Sequence, residues 1–193
     1  MTLPEYRLRL PDWIDDIAGE DVVLPDVDDR MRFVVSLARR NVAEDTGGPF
    51  GAAIFERGTG RLVAPGVNRV VPARSATAHA EIVAISLAGQ VKGTFDLGAG
   101  TPTELVTSVE PCAMCLGAVP WSGVAAVVCG ARDEDARAVG FDEGDKPADW
   151  IDSLVARGID VVRDVMRRDA AAVLQDYAAA GGIIYNGKSL PDA

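Results

Sequence analysis

The chain has 193 residues and a mass of 20.3 kDa, with 48% hydrophobic and 25% charged residues, enough for one domain with a sizeable core. Its 19 basic and 29 acidic residues leave a formal net charge of −10, which argues against a nucleic-acid partner, because phosphate binding needs concentrated Lys and Arg. The opening MTLPEYRLRLPDW has no apolar signal core, and no run approaches the roughly 18 apolar residues of a membrane span, so a cytoplasmic chain with no membrane partner is expected.

In chain order, residues 1–27 scatter Pro, Asp and short apolar islands and read as an arm that packs locally or on a partner subunit. The domain proper runs from 28 to 193. Asp28 or Asp29 can cap a helix over RMRFVVSLARRNVAED, where Met31, Val34, Val35, Ala38 and Val42 keep helical spacing. FGAAIFE and RLVAPGVN form a hairpin around RGTG. Thr77 caps a helix from about Ala78 to Ala88 that is apolar almost all round and therefore buried. TELVTSV is a strand, Cys112 to about Trp121 a short helix with Trp121 in the core behind it, and VAAVVCG a central strand. DEDARAV is helical and precedes a long loop, GFDEGDKPADW. GIDVVRDV alternates as a strand, and Asp169 can cap a last helix, AAAVLQDYAAA. Strands alternating with helices imply an α/β sheet covered on both faces.

His79 is the only histidine, and it sits two residues before Glu81. Two of the three cysteines, Cys112 and Cys115, lie at i and i+3 in the next helix's first turn, on one face. The helix, loop and strand between them are long enough to bring the two helix starts together at one end of the sheet. One imidazole and two thiolates make a three-ligand zinc site, with the fourth tetrahedral position open for water, as in catalytic rather than structural sites. Helix N-termini favour the thiolates and draw off part of their charge, so zinc can still acidify water. Glu81 points to another side of the helix, where it can take a proton from water and return it to a substrate. A structural zinc site would need a fourth protein ligand. No second histidine exists, and Cys129 lies in an apolar strand where a small buried residue is the default.

The pairing of HAE at 79–81 with PCAMC at 111–115 resembles the signature of the zinc-dependent cytidine and deoxycytidylate deaminase superfamily. GGPFGAAIFE, GVNRVV, EPCAMCLGAVPWSGV and GFDEG narrow the similarity to bacterial guanine deaminase. The resemblance covers the chain from about residue 28 to its end and implies a three-layer α/β/α sandwich around a five-stranded mixed sheet. It implies one zinc per chain and hydrolysis of guanine to xanthine and ammonia. It also implies a homodimer in which the C-terminal segment, 181–193, closes over the other subunit's site. Residue by residue it assigns Asn68 to the purine edge, Phe50 and Ala80 to the base, Glu143 to purine contact and proton transfer, and Tyr185 to the closing segment. Read without the resemblance, Asn68 equally ends a strand as a turn residue, Phe50 suits the core, and Glu143 lies in an acidic loop of the usual solvated kind. The sequence departs from many members in carrying RSAT, not Asp-Pro-Thr, ahead of Ala78-His79, and in its longer arm. Other amino-heterocycles or nucleosides (guanosine, cytosine, an aminotriazine) are alternative substrates. A tRNA adenosine deaminase disagrees with the charge, and a zinc-stabilised binding module would have no use for Glu81.

Overall fold

Alternation along the strands decides which helix covers which side of the sheet. The computed structural model describes residues 5–19 and 21–186. Five strands, β1 (Gly51–Glu56), β2 (Leu62–Val67), β3 (Thr103–Val109), β4 (Ala126–Ala131) and β5 (Asp160–Val162), form one sheet in the order β2-β1-β3-β4-β5. β1 pairs antiparallel with β2 and β3, whereas β3–β4 and β4–β5 are parallel, so the sheet is mixed.

Successive residues of β1 point to opposite faces. Ala53 and Phe55 pack with Val106 and Val128 against α1 (Val27–Ala43) and α7 (Arg167–Ala179). Ala52 and Ile54 pack with Leu105, Val127 and Cys129 against α3 (Ala80–Lys92), α4 (Ala113–Ser122) and α6 (Trp150–Val155). The result is the expected three-layer sandwich. β3 is the central strand, and all seven of its residues are buried. Two short helices, α2 (Val70–Ala73) and α5 (Asp133–Ala138), and a single 3-10 turn over Asp12–Ile14 complete the element order.

Close helix–sheet packing depends on glycine at two places. A Cβ at Gly66 would lie 2.2 Å from the Ala80 carbonyl, and one at Gly51 would lie 2.4 Å from that of Val34. The first of these lets the start of α3 settle directly on β2.

Several local expectations are corrected. The cap of α1 is Asp26, which accepts from the Asp28 amide at 2.8 Å, so neither Asp28 nor Asp29 takes that role. His79 and Cys112 are themselves the residues that cap α3 and α4, in extended backbone just ahead of the first turn. Thr77 therefore does not cap α3, which runs on to Lys92. Asp169 lies inside α7, whose cap is Met166 at φ 51°. Trp121 is 87% exposed rather than core, because α4 turns it to solvent while Cys115 and Val119 face inward.

The described part of the arm packs locally. Trp13 and Ile14 are buried against Leu37 and Val67, and the Trp13 indole donates to Thr46 Oγ1 at 3.0 Å. No helix among the described residues is long and apolar enough to cross a membrane.

Candidate active site

The carboxyl end of β3 and the amino ends of α3 and α4 meet at one end of the sheet. β3 delivers Glu110-Pro111-Cys112 straight into the cap of α4, while the Gly66 contact sets His79 beside it. The ligand atoms of His79, Cys112 and Cys115 all lie within 4.8 Å of one another. Cys112 Sγ is 3.5 Å from His79 Nδ1. A tetrahedral zinc with ordinary Zn–S and Zn–N bonds separates such a pair by ~3.6 Å.

Electrostatics agree with a cation at this point. Without one, Cys112 is drawn down to about 4, first by its contact with Cys115 and, against the cost of burial, by His79. The same contact, with burial, pushes Cys115 far up. Burial opposes protonation of His79, but Cys112, Glu81 and Glu143 outweigh it and raise its pKa. Burial, then the Cys112 charge, raises Glu81 from 4.5 to about 7. The same two causes, followed by Glu81, raise Glu143 from 4.5 to about 8. Two carboxyls and two thiols thus converge, and among the described residues no Lys or Arg lines the cavity beside them. A divalent cation is the charge this donor set lacks, and it would let both thiols ionise.

That cavity has a volume of about 610 Å³. It is lined by Phe50, Asn68, His79, Glu81, Cys112, Glu143 and Tyr185, bringing together almost every residue singled out from the sequence. Glu143 is only 6% exposed, whereas its neighbours Asp142 and Asp145 face solvent. Its loop is held by the Ala113 amide, which donates to the Glu143 carbonyl at 2.9 Å. Phe50 belongs to the cavity wall and meets Phe141 edge-to-face at 4.9 Å. Ala80 and Cys115 are the exceptions, and Cys115 is fully buried behind the lining. The Ala80 methyl packs in the core between α3 and the sheet and does not line the cavity.

Tyr185 lies over its own chain's site. Its hydroxyl accepts a hydrogen bond from Asn68 Nδ2, and its ring stands edge-on to Phe141 and His79. The Asn186 side chain accepts from the Asp142 amide and donates to the Gly140 carbonyl, both at 2.9 Å. Of the closing segment 181–193, residues 187–193 lie outside the described residues.

Sequence reading missed Asn41. It is fully buried, and its Nδ2 donates at 2.9 Å to the carbonyls of both Gly48 and Asn68, so it fixes the backbone on two sides of the cavity. A polar residue on the core face of α1 was the available signal.

Residues 26–131 match the family model described as the cytidine and deoxycytidylate deaminase zinc-binding region. The chain belongs to this deaminase family. It is 41% identical over 125 residues to the guanine deaminase of Bacillus subtilis, covering 62% of this chain and 77% of that protein. It is similar to the solved structure of guanine deaminase from Nitrosomonas europaea, at 48% identity and a TM-score of 0.88 over 93% of this chain and 99% of that one. A structure of NE0047 in complex with 2,6-diaminopurine superposes with a TM-score of 0.89 at 49% identity, over 96% and 98% of the two chains. The family membership makes zinc the cation that the deaminase site of this chain takes.

Proposed function

We propose that the protein is a guanine deaminase, converting guanine and water to xanthine and ammonia. The observation that carries this reading is the pair of buried carboxyls, Glu81 and Glu143, in one cavity with the His79–Cys112–Cys115 set and with Asn68. It is supported by the guanine deaminases among its relatives.

His79, Cys112 and Cys115 would hold the zinc, which when bound would supply a water acidified enough to act as nucleophile near neutral pH. Glu81, buried in the same cavity, is placed to accept a proton from the attacking water and pass it to the ring nitrogen N3 as oxygen adds to C2. Glu143, whose buried position favours the protonated carboxyl, gives its proton to the exocyclic amine, which leaves as ammonia. The new C2 hydroxyl returns a proton to Glu143 and becomes the carbonyl of xanthine. Asn68 serves the far edge of the base with its amide donor. Phe50 and Phe141 border the ring, and Tyr185 closes the mouth.

The active unit is a homodimer. α4 has no charged residue, and its outer side exposes Met114 and Trp121, which suits a second copy of a chain of net charge −10. Exchange of the tail between two copies would deliver the Tyr185 contacts in trans. The site's acidic lining, with no Lys or Arg among the described residues, suits a neutral base and not a nucleic acid. Three free cysteines fit the reducing cytoplasm.

Ammonia release is to be measured from guanine, guanosine, cytosine, an aminotriazine and a tRNA, with and without chelator. Guanine is expected to react best, and only without chelator. The roomy cavity of about 610 Å³ is the feature that favours a nucleoside. A clear preference for guanosine would keep the deaminase chemistry and discard guanine as substrate.

A further inference from the structure

Between Ala138 and Trp150 the chain has no strand or helix, yet this loop must hold the buried carboxyl of Glu143 in one place. We propose that Lys146 is the positioning residue for Glu143, clamping its loop onto the segment that carries Cys112. The proposal rests on the guanine deaminase reading above.

Lys146 is an unusual residue for an acidic surface loop, because its side chain is only 8% exposed. Its ammonium donates to the Pro111 carbonyl at 3.1 Å. It lies 3.0 Å from Asp133 Oδ1 and 3.8 Å from Glu110 Oε2. It also stands 5.2 Å above the centre of the buried Trp150 ring. A compact ammonium with three donors can satisfy a carbonyl and two carboxylates from one point.

The anchor points matter more than their number. Pro111 directly precedes Cys112, and Ala113, whose amide holds the Glu143 carbonyl at 2.9 Å, directly follows it. The Glu143 loop is therefore tied to the chain on both sides of a zinc ligand, and Lys146 makes one of the two ties. Its partners are fixed in turn. Glu110 is 3% exposed and pairs with Arg163, and Asp133 pairs with Arg137 at 2.6 Å. Arg137 also donates to the Gly144 carbonyl at 2.6 Å, next to Glu143. Lys146 does not line the cavity, so it acts on turnover without touching a base bound there.

The test uses the zinc-loaded full chain and steady-state ammonia release from guanine. Wild type, Lys146→Met, Lys146→Arg, Glu143→Gln and the Lys146→Met, Glu143→Gln double variant are compared, with zinc content measured for each. Lys146→Met should lower kcat roughly tenfold or more, as misplacing a catalytic group does, with KM within about threefold and zinc unchanged. Lys146→Arg, which keeps charge and donors, should recover most of that loss. In the Glu143→Gln background the Met substitution should cost less than about twofold further, because the group it places is already gone. Should Lys146→Met not fold, Asp133→Asn weakens the same clamp and is read in the same two backgrounds. Turnover of Lys146→Met within about twofold of wild type, or the full loss repeated in the Glu143→Gln background, overturns the proposal. An inactive wild type instead removes the guanine deaminase reading on which it stands.

Discussion

Asn68, at the end of β2, donates its side-chain amide to the hydroxyl of Tyr185, 117 positions later in the chain. The amide expected to read the substrate's edge is thereby joined to the segment expected to close the site. Asn68 Oδ1 accepts from the Val70 amide at 3.2 Å, and Asn41 holds the Asn68 carbonyl, so the amide is presented at a fixed angle. Asn68→Ala should mainly raise KM, costing about 1–3 kcal/mol of binding, since a buried partner loses its mate. Tyr185→Phe removes only the shared bond and should cost about 1 kcal/mol. Titrating a tight-binding guanine analogue into each variant checks the order; a larger loss in Tyr185→Phe than in Asn68→Ala would reverse it.

The metal prediction is stoichiometric. Purified protein should carry about one zinc per chain, bound by three protein ligands. Cys112→Ala should lose both metal and activity, and metal analysis alongside ammonia release checks both. Full zinc occupancy in a Cys112→Ala, Cys115→Ala double variant would sink the assignment.

Glu81→Gln preserves shape and removes the proton acceptor. Zinc content and fold should survive while turnover falls by on the order of a hundredfold or more. A variant working within a few-fold of wild type would strip Glu81 of its role.

Glu143 also leaves a signature in stability. Burial, then the Cys112 charge, moves its pKa from 4.5 to about 8 in the metal-free fold. Between these values the folded state keeps a proton that the unfolded state has released, so its contribution is fully present below 4.5 and lost as pH rises through about 8. Glu143→Gln has no such dependence. Thermal unfolding of the two zinc-free proteins should show the variant gaining on wild type from pH 5 to 8, by on the order of a few kcal/mol. Parallel pH profiles would mean that the carboxyl is not buried as described.

Trp121→Glu places a charge on the apolar outer side of α4. Sedimentation should show the proposed dimer weakened and the monomer still folded, since Trp121 is 87% exposed within one chain. An unaffected dimer would move the interface elsewhere.

The sequence by itself determined the donor set. His79, Cys112 and Cys115 are the types a catalytic zinc site needs, and the i, i+3 spacing of the cysteines is a local property that survives into the fold. The strand TELVTSV and the alternation of β1 were legible for the same reason, because period and propensity act between near neighbours. Burial is not local, and there the tertiary structure decided. Nothing in the run DEGDK separates Glu143 from Asp142 and Asp145, yet the Ala113 amide and the turn at Gly144 send one carboxyl inward and the others to water. Trp121 looks like core by composition and is solvent-facing because α4 spends its inner side on Cys115 and Val119. Asn41 and Lys146 are ordinary residues in the sequence. They acquire their roles only where loops far apart in the chain, around residues 48, 68, 111 and 143, are brought to one end of the sheet and need polar partners there.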